Sequence, residues 1–197
     1  MPSTALDYSL EDQHYTYADM LEWDESLRAE IIDGEVYMMA PPARFHQEIS
    51  SELHGQLWTF LKGKPCKVYP APFGVRLFPN DDLSDDTVVE PDIVVVCDHS
   101  KLDDRGCNGA PDLVIEILSP SNTQRDRIVK FRKYLAAGVR EYWVVDPGQK
   151  TAEVHILNNG QYVTTVYDAA DEVPVTVLPG CSIKLGDVFS IDLDGVE

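Results

Sequence analysis

The stretch Pro111-Asp112-Leu113-Val114-Ile115-Glu116-Ile117-Leu118 decides how this chain is read. It is an almost continuous apolar run, the pattern of a strand buried on both faces. Side chains alternate along a strand, so Asp112, Val114, Glu116 and Leu118 share one face. Glu116 is the anomaly. A carboxylate inside such a run faces a large desolvation cost unless a cation or hydrogen bonds compensate it. A metal ion is one solution, and a buried Arg or Lys is another.

Working upstream, Val88 to Cys97 reads as a second strand, with Glu90-Pro91-Asp92 leading into Ile93-Val94-Val95-Val96. An Asp at a strand start is by itself an ordinary turn residue, and Asp112 has the same plain reading. The pair Asp92 and Glu116 says more than either acid alone. If the two strands are neighbours, both carboxylates converge on one divalent cation, for which hard oxygen donors suit Mg2+ or Mn2+. Such an ion activates water and stabilises charge developing on a phosphodiester.

Downstream, Ser119-Pro-Ser-Asn-Thr123 reads as a turn that caps a helix from about Gln124 to Ala137, ended by Gly138. Lys130 shares one stripe of that helix with Asp126 and Tyr134. Ile128, Leu135 and Val139 mark the main apolar face, and Lys130 lies roughly 160° from it at the rotation of an α-helix. Periodicity alone therefore makes Lys130 a solvated residue. It enters a site only if the helix is contacted on two sides.

The remaining elements frame these three. Thr16 to Ser26 reads as a short helix capped by Thr16, with Asp19 at its third position. Asp33-Gly34 between apolar stretches marks an N-terminal hairpin. Ala43 to Lys62 reads as a helix whose apolar stripe is Phe45, Ile49, Leu53, Leu57, Phe60 and Leu61. His46 falls near that stripe and Glu48 off it, so the plain readings are a core histidine and a solvated acid. Cys66 to Phe78 is strand material interrupted by prolines, Pro79 to Asp86 an acidic loop, and Asp98 to Ala110 a polar loop. Glu141 to Val145 is a strand, and Thr151 to Phe189 alternates apolar runs with turns, as antiparallel β does. The expected class is α+β, a mixed central sheet flanked by helices with a C-terminal β extension. One domain over 1–197 is expected, with its core at about 43–147 and the extension at about 151–189.

Composition narrows the function classes. No apolar run approaches the roughly 20 residues of a membrane helix, and Met1 to Asp12 lacks the basic start of a signal peptide. A cytoplasmic setting is expected. Cys66, Cys97, Cys107 and Cys181 have no C-x-x-C or finger spacing, so free thiols are expected rather than zinc. Walker A, G-x-S-x-G and H-E-x-x-H motifs are absent. The net charge of -18 disfavours long-range attraction to nucleic acid, so metal ions and local cations must offset it.

Taken together, Glu30-Ile-Ile-Asp-Gly-Glu35, Met39, Pro41, His46, Pro91-Asp92, Pro111 to Pro120, Arg125, Asp126, Lys130, Tyr134, Gly138-Val139 and Glu141 to Asp146 resemble the Uma-two endonuclease family of the PD-(D/E)XK restriction-endonuclease-like superfamily. The resemblance runs from about Tyr17 to Phe189. It implies an α-β-β-β-α-β nuclease core, with the "PD" acid on Asp92 and the "(D/E)XK" acid on Glu116. The usual Lys position holds Leu118, a departure from the general pattern. Related families supply that Lys from the next helix, where Lys130 stands. The resemblance implies Asp92, Glu116 and Lys130 as catalytic residues, Asp92 and Glu116 as ligands of Mg2+ or Mn2+, and His46 and the helix acid Glu48 as secondary candidates. The expected activity is hydrolysis of nucleic acid, with DNA as partner. Apart from the resemblance, the apolar strands of the tail, Thr151 to Phe189, need a partner surface, so a homodimer through that tail is expected, a form that matches a two-fold duplex target. The alternative is a non-enzymatic binding or assembly module that keeps the fold.

Overall fold

The structure, a computed structural model, describes residues 13–24, 26–119 and 125–190. The expected capping turn and the start of the helix at Gln124 fall largely outside these residues.

Helix α1 (Tyr17–Met20) is opened by a capping box in which the Thr16 side chain accepts from the Asp19 N–H and the Asp19 carboxylate accepts from the Thr16 N–H. The hairpin β1 (Ala29–Ile32) and β2 (Glu35–Met38) turns at Asp33-Gly34, both with positive φ, as a two-residue turn of this type requires. Helix α2 (Arg44–Leu61) follows, then β3 (Lys67–Pro70) and β4 (Gly74–Arg76).

The expected strand over Val88 to Cys97 is two strands. Val88–Val89 (β5) and Ile93–Val96 (β6) belong to different sheets, and Glu90-Pro91-Asp92 is the joint between them. Proline has no N–H to give a ladder, so the chain changes sheets there. The polar loop over 98–110 carries two short strands, β7 (Leu102–Asp103) and β8 (Gly106–Asn108). Then come β9 (Leu113–Ile117), a π-type turn at Arg125–Lys130, helix α3 (Phe131–Ala137) and β10 (Glu141–Asp146). The tail is β11 (Thr151–Asn158), β12 (Gln161–Asp168), β13 (Glu172–Pro174), β14 (Ser182–Lys184) and α4 (Leu185–Val188).

The α+β class stands, with two mixed sheets where one was expected. The main sheet runs β12-β11-β10-β9-β6-β3, and a second runs β2-β1-β5-β4-β8-β7. β9 and β10 are parallel, joined through α3; β6 pairs antiparallel to β9 with Val94 opposite Val114. On one side of the main sheet, Ile49, Leu53, Leu57 and Leu61 of α2 pack on Ile93, Leu113, Ile115 and Ile117. On the other, Val94, Val114 and Leu118 pack with Tyr134, Val139 and Val89. Strand alternation thus separates Ile115 from Glu116 as the sequence implied.

One cysteine expectation is corrected. Cys66 and Cys97 form a disulfide; only Cys107 and Cys181 are free, and both are buried. The pairing of Lys67 with Val96 sets Cys66 opposite Cys97, a proximity that sequence spacing does not show.

Leu57 is fully buried, whereas its neighbour Trp58 is half exposed. Leu57→Ala is expected to lower unfolding free energy by about 2–5 kcal/mol. Trp58→Ala should cost well under half of that, both read by urea denaturation.

Candidate active site

Three acids and one lysine meet where the two sheets and α3 converge. β9 presents Glu116, β1 presents Glu30, and the π-type turn presents Asp126 and Lys130. Lys130 Nζ lies 2.6 Å from Glu30 Oε1, 2.9 Å from Glu116 Oε1 and 3.6 Å from Asp126 Oδ1. Tyr134, one turn along, donates its hydroxyl to the same Glu116 Oε1 at 2.6 Å. All five side chains are buried.

Lys130 is therefore not solvated. Ile128, taken above as part of the apolar face, is 45% exposed, and Lys130 is 3% exposed. The cause is local. The π-type turn spaces its residues differently from an α-helix, so the α rotation does not carry across it. The face that packs inward is Asp126, Lys130 and Tyr134, the stripe the sequence had already grouped.

Asp92 sits at the Pro91 joint, at the end of β6. Its Oδ2 accepts from the Ile117 N–H at 2.7 Å and lies 3.3 Å from His46 Nε2. His46, in the first turn of α2, also approaches the Ile117 carbonyl at 3.1 Å. A cavity of about 490 Å³ opens over this group, lined by His46, Asp92, Glu116 and Lys130 together with Glu30, Glu90, Arg28 and Arg125. The structure thus brings Asp92, Glu116, Lys130 and His46 to one cavity. Glu48 is elsewhere, paired with Arg44 on the outer side of α2. Asp112 accepts from the Cys97 N–H and pairs with Arg140, away from the cavity. Leu118 is buried in the core.

Sequence reasoning gave no role to Glu30, Asp126 or Arg125. The signal for Glu30 was the one that exposed Glu116: an acid inside an apolar strand, here Ala29-Glu30-Ile31-Ile32. Arg125 lies 3.7 Å from Glu30 Oε2 and over the Tyr37 ring.

Electrostatics follow from burial and an excess of acids. Burial raises the Glu116 carboxyl well above its usual range; Lys130 opposes this, while Asp126, Asp92 and Glu30 reinforce it. Burial works against the Lys130 ammonium, but Glu116, Glu30 and Asp126 outweigh it and hold its pKa well above the usual value. Burial, only partly offset by Lys130, pushes Asp126 up to about 6. Both Asp126 carboxylate oxygens are buried and, among the described residues, have no hydrogen-bond partner. His46 is penalised by burial, yet Asp92 and the Ile117 carbonyl raise its pKa.

The donor set fits a hard divalent cation. Asp92 and Glu116 both line the cavity, and the surplus of carboxylates over ammonium and guanidinium groups calls for further positive charge. Among the described residues no three His, Cys, Asp or Glu side chains form a ready cage. Mg2+ does not need one, since it keeps several waters and uses one or two carboxylates.

The structure is a mixed α+β scaffold in which two carboxylates and a lysine reach one cavity, the arrangement expected of the restriction-endonuclease-like class. Residues 16–186 match the model of the Uma2 family, described as "Putative restriction endonuclease", and the chain belongs to that family. A crystal structure described as a "putative nuclease belonging to DUF820", from Anabaena variabilis, superposes with a TM-score of 0.72 at 25% identity, over 89% of this chain and 98% of that one. An uncharacterized protein of Synechocystis sp., slr1290, is 26% identical over 179 residues, 89% of this chain and 88% of its own length.

Asp126 also yields a stability prediction. A carboxyl whose folded pKa is raised binds more protons when folded, so its ionisation weakens the fold as pH rises through about 6. Asp126→Asn is expected to add at most about 3 kcal/mol of stability at pH 8, seen as a higher melting temperature. That gain should fade as pH falls below about 6 towards 4, as followed by thermal unfolding across pH.

Proposed function

We propose that this chain is a divalent-metal-dependent nuclease that hydrolyses phosphodiester bonds of nucleic acid, with DNA as substrate. The observation that carries the reading is the Lys130 ammonium held 2.9 Å from Glu116 beside a cavity that Asp92 also lines. Asp92 and Glu116 would hold Mg2+ or Mn2+. The bound ion supplies a more acidic water and a counter-charge for the phosphate.

The chain's own groups have separate tasks. Lys130, kept protonated by Glu116 and Glu30, sets a fixed positive charge at the cavity wall, where it stabilises negative charge on a phosphoryl group or orients a water. Tyr134 fixes the Glu116 carboxylate through one oxygen. The Ile117 N–H and His46 fix Asp92. Arg125 and Arg28 line the mouth and supply local cations in a chain of net charge -18. The whole chain acts as one domain, because β1, outside the 43–147 core, contributes Glu30.

Among the described residues no helix is long and apolar enough to cross a membrane. We place the protein in the cytoplasm on its composition; the Cys66–Cys97 bond is the one feature that sits poorly with a reducing compartment.

A second reading, a binding module without catalysis, draws on the acidic net charge and on Leu118 at the usual Lys position. Cleavage of plasmid and single-stranded substrates in Mg2+ or Mn2+ separates the two. The wild type is expected to cleave. Asp92→Asn and Glu116→Gln should each lower the rate by about a hundredfold or more while circular dichroism stays unchanged. No cleavage with any divalent ion, or full activity in Glu116→Gln, would overturn the nuclease reading.

A further inference from the structure

β12 is the outer strand of the main sheet, and among the described residues its far edge pairs with no other strand. The two-residue turn Asn159-Gly160, with positive φ at both positions, makes Asn158 and Gln161 a hydrogen-bonded pair. The alternation of an antiparallel ladder then turns the backbone groups of Tyr162, Thr164, Val166 and Asp168 outward. Asp168 is already occupied: its N–H donates to the Asp171 carboxylate at 2.9 Å, and its carbonyl accepts from the Asp171 N–H at 3.0 Å. Among the described residues, the outward groups of Tyr162, Thr164 and Val166 have no backbone partner.

This edge lacks the usual protection. Gln161 to Tyr167 holds no proline and no charged side chain, in a chain of net charge -18. Val163 and Val166 are 55% and 61% exposed. It is a neutral, β-branched window on an acidic molecule, along which two copies can meet without facing like charges.

We propose that a second copy of this chain docks on β12, antiparallel, with a two-fold axis at Thr164. Two identical strands in one sheet are related by an axis perpendicular to it, so paired positions must be both even or both odd. With the axis at Thr164, Tyr162 faces Val166 of the other copy and Thr164 faces its own counterpart. These pairs use all the free outward groups and leave Asp168 with Asp171. An axis at Thr165 would instead need the occupied Asp168. Aromatic against β-branched and Thr against Thr are favourable cross-strand pairs. The main sheet then continues through both copies. This gives the expected homodimer a surface and a register, and it stands whether or not the chain cleaves nucleic acid.

Light scattering on the full chain, run in parallel with the cleavage assay, tests it. The expected mass is twice 22.1 kDa. Val166→Lys, at an exposed site that leaves the fold intact, should weaken association by about tenfold or more. Thr164→Pro should yield a monomer. Thr164→Cys should cross-link on oxidation, since a hydrogen-bonded pair brings its Cα atoms to about 5.5 Å, and Thr165→Cys should not. A monomeric wild type, a dimer indifferent to Val166→Lys, or faster cross-linking through Thr165→Cys would overturn the proposal. A dimer without cleavage would support it and count against the nuclease alone.

Discussion

The buried contact of Lys130 with Glu116 and Glu30 is the interaction on which the site depends. It ties β1 of the second sheet to β9 of the main sheet and to the turn into α3, both more than 80 residues further along the chain. Buried ion pairs of this kind do little for net stability, because desolvation consumes most of the Coulombic gain. An apolar triad of similar volume would hold the same elements together. Here three acids share one lysine, and among the described residues neither carboxylate oxygen of Asp126 has a hydrogen bond. A fold that carries such a costly cluster beside an open cavity fits chemistry better than scaffolding.

The architecture explains how the cluster stays in place. Pro91 breaks what would have been one strand and sends its halves into different sheets, which leaves Asp92 at the joint. The Ile117 N–H then anchors Asp92 to the strand that bears Glu116. α2 covers one face of that strand with leucines and delivers His46 at its first turn. Apolar packing on one face and polar convergence on the other thus follow from the alternation of a single five-residue strand.

Much of this was legible in the sequence. The hairpin at Asp33-Gly34, α2 and its stripe, β9 and the tail strands each carry a strong local signal. Glu116 stood out because an acid broke an apolar run. Lys130 was misplaced by helical rotation because the turn that holds it is not α-helical, and no composition rule announces a π-type turn. The split of β5 from β6 needed sheet order, although Pro91 marked the spot. Glu141 shows why an acid in an apolar strand is not enough by itself. It is buried too, but the Trp143 indole and the Val177 N–H satisfy its two oxygens with neutral donors. The Cys66–Cys97 pairing likewise depended on register, which spacing along the chain does not reveal.

The central claim is that Asp92 and Glu116 form the cation-binding side of a nuclease centre whose fixed charge is Lys130. Anomalous scattering from crystals grown with manganese tests it most directly. The account predicts a manganese peak coordinated by both carboxylates, with Lys130 still paired to Glu116. Saturating manganese with no peak between these residues would contradict it.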